Sequence, residues 1–538
     1  MTTSDHLDVL VVGAGPAGAI AARVLAEDGF SVLCLEQGEW PVKADYPGAK
    51  PEWELAAHKT WHPDPNVRHN PADYPIDGSD GTLRSLNMFA GVGGSTVLYA
   101  AHWMRMVPSD FRVRTVDGVA DDWPVSYRIL RPYYEAIDQM IGVSGHGGDP
   151  AYPQGAGPPL PPLPIGSLGR RVASGMNDLG WHWWPGSNAI ASRRHGRLSP
   201  CVRYGTCATG CPNDSKASFD LVMWPDAIRA GARLRTGARV REITVSRAGL
   251  ATGAVFIDRQ GAEHHQTADV VVLAGNAVGN ARLLLLSQSP RFPDGLANSS
   301  GLVGRRLMTH PFSTVLGIFD EEGSGRRGPN GQLLYSLQFY ETDASRGFVR
   351  GAKWALFPGP GPLETGLSAM MGTDEPEGPH RAVAATVGRS VQWGIIVEDL
   401  PDESNRVTLH DSLTDSDGVP GVRLVVQDDE NAMRNMEFQV ARAQESLLAA
   451  GAIGATARPM PLSRSHCMGT TVMGTDPATS VADQFGRAHD VPNLFLLGAG
   501  LFPTASAMNP TATLCALALR SAEHMIDSAS NQCVPANA

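Results

Sequence analysis

The sequence predicts an α/β fold, and three stretches predict it. Residues 8–12 (DVLVV) form a β-branched run suited to a strand buried on both faces of a parallel sheet, and Gly13-Ala14-Gly15-Pro16-Ala17-Gly18 follows without a break. Residues 269–287 (DVVVLAGNAVGNARLLLLS) give another buried strand, a small-residue turn and a helix. Near the C-terminus, NLFLLGAGLFPTASAMNPTATLCALALRSAEHM places a short apolar strand (Asn493 to Leu497) ahead of a glycine-rich loop and a further helix.

Taken in chain order, the first glycine turn leads into AIAARVLAEDG, a helix ending at Gly29, and then into SVLCLE, a strand closing on Glu36. Strand, glycine turn, helix and strand with a terminal acid is the context in which G-x-G-x-x-G marks a dinucleotide site. Gly13 permits the tight turn, and Gly15 lets a pyrophosphate approach the backbone where Pro16 and Ala17 open the helix. Gly18 lets helix and strand pack closely, and Glu36 accepts hydrogen bonds from ribose hydroxyls. These residues leave NAD and FAD open. Residues 236–245 (TGARVREITV) read as a strand of a meander. The last helix is expected to start at Asn509-Pro510, with Asn as the cap, Pro at the first helical position, and Leu514 and Leu517 on an apolar face.

At 538 residues, 42% apolar and 18% charged, the chain has material for two to three lobes around sizeable cores. Its net charge of -11 leaves no basic stripe for phosphates, which argues against nucleic-acid binding and polybasic membrane attachment and for small-molecule chemistry. No stretch approaches the roughly 18 to 20 apolar residues of a membrane span, and MTTSDHLDVLVVGAG does not read as a secretory leader, so a cytoplasmic protein is expected. Three of the seven cysteines, Cys201, Cys207 and Cys211, fall within CVRYGTCATGC. They hold a metal, form a disulfide or pack as small hydrophobes.

Five blocks in order resemble the glucose-methanol-choline (GMC) family of FAD-dependent oxidoreductases. They are the N-terminal glycine motif with Glu36, AGVGGSTVLYAAHWMR (90–105), LVGRRLMTHP (302–311), EDLPDESNRVTL (398–409), and the C-terminal pair SHCMGTTVMGTD (465–476) and the Asn-Pro-Thr segment. The resemblance implies a discontinuous Rossmann-type FAD-binding domain from residues 1–42, 79–107, 201–312 and 462–538. A substrate-binding domain with an antiparallel sheet is expected from residues 43–78, 108–200 and 313–461. FAD contacts are expected, beyond the first turn, from Gly93, Gly94 and Ser95, from Val240, Ala274 and Gly275, from Gly498 and Ala499, and from Asn509, Pro510 and Thr511.

The family oxidises an alcohol by removing its hydroxyl proton with a histidine while hydride passes to flavin N5. The resemblance assigns that histidine to His466 and its partner to Asn509. A neutral imidazole suits the task, and an amide can hold the same oxygen in line. No histidine directly follows Gly93-Gly94, where some relatives attach FAD covalently, so dissociable FAD is expected. The C-x5-C-x3-C spacing resembles relatives in which three cysteines hold a [3Fe-4S] cluster, which would pass electrons to a cytochrome or quinone; without it, dioxygen or a diffusible quinone would reoxidise the flavin. The expected substrate is a sugar or glycoside hydroxyl, or an aromatic or allylic primary alcohol. GWHWWP (180–185) offers either a sugar-binding surface or packing. A non-redox lyase on the same FAD fold is the alternative.

Overall fold

The computed structural model describes residues 6–83, 86–323, 331–372, 377–457 and 463–532. Among the described residues, two seven-stranded sheets and one of three strands carry the architecture. In the first, the strand order is Arg233–Arg235, Val32–Leu35, Leu7–Val12, Glu263–Leu273, Ala251–Ile257 and Arg239–Val245, and Leu494–Leu496 also pairs with Glu263–Leu273. The long strand Glu263–Leu273 serves two partnerships. Its first half runs antiparallel to Ala251–Ile257, and its second half lies between Leu7–Val12 and Leu494–Leu496, parallel to both.

The three stretches that predict the fold are thus neighbours in one sheet. Leu7, Leu10, Val11, Val271, Val272, Leu494 and Leu496 are fully buried, as a parallel strand covered on both faces requires. Helix Pro16–Glu27 packs against the last helix, Thr511–Gln532, and supplies one of those covers.

The second sheet is antiparallel, ordered Gly454–Ala457, Met308–Ile318, Ser390–Val397, Ala352–Pro358, Leu334–Ser336 and Trp184–Pro185, with Ser463–Met468 also on Met308–Ile318. Period-two alternation divides its faces. Trp354 and Trp393 point to helix Glu430–Ala449, donating their indole N–H groups to Gln439 (2.8 Å) and Ser446 (2.9 Å). Alternate residues along the central strands, among them Phe312, Lys353, Phe357 and Ile396, belong to the opposite face. Trp181 meets Phe339 and Trp354 edge-on, and Trp184 donates to the His146 carbonyl, so these two rings of GWHWWP make packing contacts. Among the described residues no helix is long and apolar enough to cross a membrane.

Candidate active site

Between the two large sheets lies a cavity of about 540 Å³ whose walls come from both. At one end the N-terminal glycine turn meets the second glycine pair backbone to backbone. Gly94 has φ +55°, and a Cβ there would sit 2.8 Å from the Gly15 Cα. Gly13 has φ +101°, and a Cβ there would meet the Ala274 carbonyl at 2.7 Å. Side chains at these positions would force apart the backbone turns that meet at this end of the cavity.

Glu36 is buried beside this turn and accepts the N–H groups of Ala14 and Gly38, each at 2.8 Å. The carboxylate lies on the cavity wall, where ribose hydroxyls can donate to it. Burial raises the Glu36 carboxyl from its ordinary value, and the backbone N–H bonds oppose that rise.

The structure brings nearly all the expected cofactor residues to this one cavity. Gly13, Gly15, Pro16, Ala17 and Glu36 line it from the first sheet. Gly94, Ser95, Val240, Ala274, Gly275, Gly498, Ala499, Asn509, Pro510 and Thr511 complete the wall. Gly18 and Gly93 stand behind it: Gly18 packs on the first strand's turn, and Gly93 donates its N–H to the Ala14 carbonyl. A cradle of exposed backbone, an acid for the ribose and the start of the last helix fit FAD.

The other end of the cavity holds His466 and Asn509. Strand Ser463–Met468 is bulged between Ser465 and Met468, and His466 sits in that bulge with φ +67°. A left-handed non-glycine residue is costly, and here it re-aims an imidazole out of the sheet into the cavity. Its Nδ1 lies 2.9 Å from His310 Nδ1, and its Nε2 lies 3.4 Å from Asn509 Nδ2.

The hydrogen bonds assign the protons. His310 Nε2 is 2.7 Å from the Ser506 carbonyl, which can only accept, so Nε2 carries the His310 proton. Neutral His310 then accepts at Nδ1, His466 donates from Nδ1, and His466 Nε2 is left as the acceptor facing Asn509. Burial pushes His310 down to about 4. Burial first, then the nearby His310 and Lys353, hold His466 well below the ordinary imidazole value, so both rings are neutral near pH 7.

Behind His310 the chain of supports continues. Ser506, with φ +53°, donates its N–H to Glu398 at 3.0 Å, and Glu398 is fixed by Arg350 Nε at 2.7 Å. Arg350 is itself buried and also engages Asp110 and Asp117. The carbonyl that sets the tautomer is therefore anchored through a buried ionic cluster.

Asn509 does not cap the last helix, as the sequence leads one to expect. The first helical bond runs from Leu514 N–H to the Pro510 carbonyl at 2.9 Å, which puts the cap on Pro510, one residue later. The Asn509 amide is instead held by Lys353, whose Nζ donates to Oδ1 at 2.7 Å. Lys353 also lies 3.3 Å from His102 Nδ1, and His102 lines the cavity. His310 and Lys353 were not singled out from sequence. His310 lies inside the quoted block LVGRRLMTHP, but its contact with His466 exists only once two strands pair.

The expectation of a [3Fe-4S] cluster on Cys201, Cys207 and Cys211 finds no support in this geometry. Among the described residues no three His, Cys, Asp or Glu side chains gather in a way that could hold a metal ion. Cys201 Sγ accepts the Arg203 N–H (3.4 Å) and Cys211 Sγ the Ser215 N–H (3.3 Å). The loop is organised by buried Lys216, whose ammonium donates to the carbonyls of Val97 (2.7 Å), Tyr99 (3.2 Å) and Cys207 (2.6 Å). It ties the cysteine loop to the backbone just after Gly94.

Known proteins resemble the chain along its length. A family model described as FAD binding domain matches residues 6–46, and two described as GMC oxidoreductase match residues 171–312 and 401–518. The chain is 40% identical over 536 residues to a 2-methyl-1,2-propanediol dehydrogenase of Mycolicibacterium austroafricanum, covering 98% of this chain and 96% of that protein. It is 30% identical over 537 residues to a 6'''-hydroxyparomomycin C oxidase of Streptomyces lividus, covering 96% and 91%. The solved pyridoxine 4-oxidase from Mesorbium loti matches with a TM-score of 0.65 at 19% identity, covering 97% of this chain and 99% of that one, a likeness of fold.

Proposed function

The chain belongs to the GMC oxidoreductase family of FAD-binding enzymes that act on alcohol and sugar hydroxyls, and from that premise we propose that it oxidises a small alcohol to a carbonyl with His466 as the base. The observation that carries this reading is the His310–His466 contact at 2.9 Å, which turns the acceptor nitrogen of His466 toward Asn509 in the cavity. His466 Nε2 takes the hydroxyl proton, and Asn509 Nδ2 donates to the same oxygen and holds it in line. FAD, bound along the glycine turns, supplies the hydride acceptor. Its attachment is non-covalent in this reading, so acid denaturation releases the yellow colour from the polypeptide.

The walls around the base favour a compact alcohol with a hydrocarbon body. Phe312, Phe357 and Ile396 line the cavity from the second sheet, and Gly394 beneath them leaves room for both rings. A polyhydroxylated sugar would leave its hydroxyls against these apolar surfaces without partners. 2-Methyl-1,2-propanediol, named for the dehydrogenase relative, combines both requirements and heads the list of alcohols to try.

The test is anaerobic mixing of the FAD-loaded protein with this diol, other branched and aromatic alcohols, and sugars. Loss of the flavin's visible absorbance with stoichiometric carbonyl formation is the expected result, and reopening to dioxygen or a quinone then identifies the acceptor. Conversion of substrate with the flavin oxidised throughout would mean a non-redox lyase instead.

A further inference from the structure

Lys353 is fully buried, and among the described residues it makes no ion pair with a carboxylate. Strand Ala352–Pro358 alternates, so Trp354 and Leu356 enter the core under helix Glu430–Ala449 while Lys353 and Phe357 take the cavity face. Its ammonium meets two groups, Asn509 Oδ1 at 2.7 Å and His102 Nδ1 at 3.3 Å, and both residues line the cavity. The contrast with neighbouring Arg350 is sharp. Arg350 is equally buried but is surrounded by Asp110, Asp117 and Glu398.

A buried cation without a counter-ion destabilises a fold, and a methylene chain of the same length would pack there at lower cost. Burial alone pushes the Lys353 ammonium down to about 7. Stability therefore does not explain the lysine. Its position does, because negative charge develops a few ångströms away when an alcohol surrenders its proton.

We propose that Lys353 is a positioning residue that fixes the Asn509 amide and provides the positive charge against which the substrate oxyanion develops. The inference rests on the functional reading above. Because Oδ1 accepts from Lys353, Nδ2 must face His466 and the substrate oxygen, which removes the twofold ambiguity of an amide. As the substrate O–H bond breaks and the proton forms a bond to His466 Nε2, the carbinol C–H pair leaves as hydride to the flavin, and the C=O bond forms. Partial negative charge on the oxygen between these events is met by Asn509 Nδ2–H and, through it, by the ammonium.

The test uses FAD-loaded enzyme, wild type and Lys353→Met, with Asn509→Ala and the double variant completing a cycle. The binding probe is 2-hydroxy-2-methylpropanoate, a carboxylate with the carbon skeleton of the diol, compared with its neutral amide by perturbation of the flavin spectrum. Wild-type enzyme should bind the carboxylate about tenfold or more tightly than the amide, and Lys353→Met should lose that preference. The Met variant should also melt at a higher temperature, retain FAD, and lose about tenfold or more in kcat with little change in KM. That loss should shrink in the Asn509→Ala background.

A Lys353→Met enzyme within about threefold of wild type in both carboxylate binding and kcat overturns the proposal, as does a loss of undiminished size without Asn509. Should the variant fail to fold, the wild-type comparison decides, and equal or absent carboxylate binding overturns the proposal. If no alcohol reduces the flavin, the functional reading fails on its own, while the carboxylate arm still reports on Lys353.

Discussion

His310 and His466 face each other through their Nδ1 atoms at 2.9 Å, and only one of the two can carry the shared proton. Ser506 forces that proton onto His466 by occupying the His310 Nε2–H at 2.7 Å. Replacing His466 with Ala should lower kcat by about 10² to 10⁴ while FAD remains bound, since it removes the proton acceptor. Replacing His310 with Ala should cost between about 10-fold and 1000-fold, because His466 survives but its tautomer is no longer imposed. Steady-state rates with flavin content measured on the same samples check both.

The depressed histidines also fix a pH response. An unfolded histidine binds its proton near pH 6.5, whereas folded His310 does so only near pH 4, with His466 displaced in the same direction. Between those values the unfolded chain holds more protons, so stability rises with pH in that window. The contribution is complete above about pH 6.5 and is lost as pH falls toward about 4, on the order of 3 kcal/mol for His310. Urea midpoints at several pH values should therefore drop on the acid side, and His310→Gln should flatten that drop. Catalysis follows the same displacement: the acid limb of kcat should lie below the ordinary imidazole range.

Gly94→Ala should separate cofactor binding from folding. The added Cβ would lie 2.8 Å from the Gly15 Cα at a residue whose φ is +55°. Left-handed geometry alone costs about 1 to 2 kcal/mol, and the clash pushes apart the two glycine turns that meet at this end of the cavity. Protein of native helix content with a reduced flavin-to-protein ratio is the expected outcome, read by absorbance and circular dichroism.

The first turn was legible because its logic is local. Strand, Gly13 to Gly18, helix and Glu36 fall within one short stretch, and each residue type has a backbone or hydrogen-bonding reason to be there. His466 and Asn509 entered through the order of sequence blocks, and their surroundings were hidden. The bulge that turns His466 and the strand pairing that delivers His310 join distant parts of the chain, where no periodicity in either segment announces the contact. Lys353 was the least legible. In RGAKWALFP a single lysine among apolar residues reads as a solvated position, and only the sheet's two covered faces reveal its burial. The helix start was off by one residue because Asn and Pro both suit neighbouring cap positions, and the amide went to the site instead.

The packing of helix Pro16–Glu27 on helix Thr511–Gln532 has a consequence for biosynthesis. A chain made from its N-terminus produces the first glycine turn long before its partner wall, so the cofactor pocket stays open until Leu494–Leu496 and helix Thr511–Gln532 have been made. The nascent sheet must wait, with an uncovered helix face, for Leu494–Leu496 and the final helix to arrive. Flavin loading is therefore a late event for this topology.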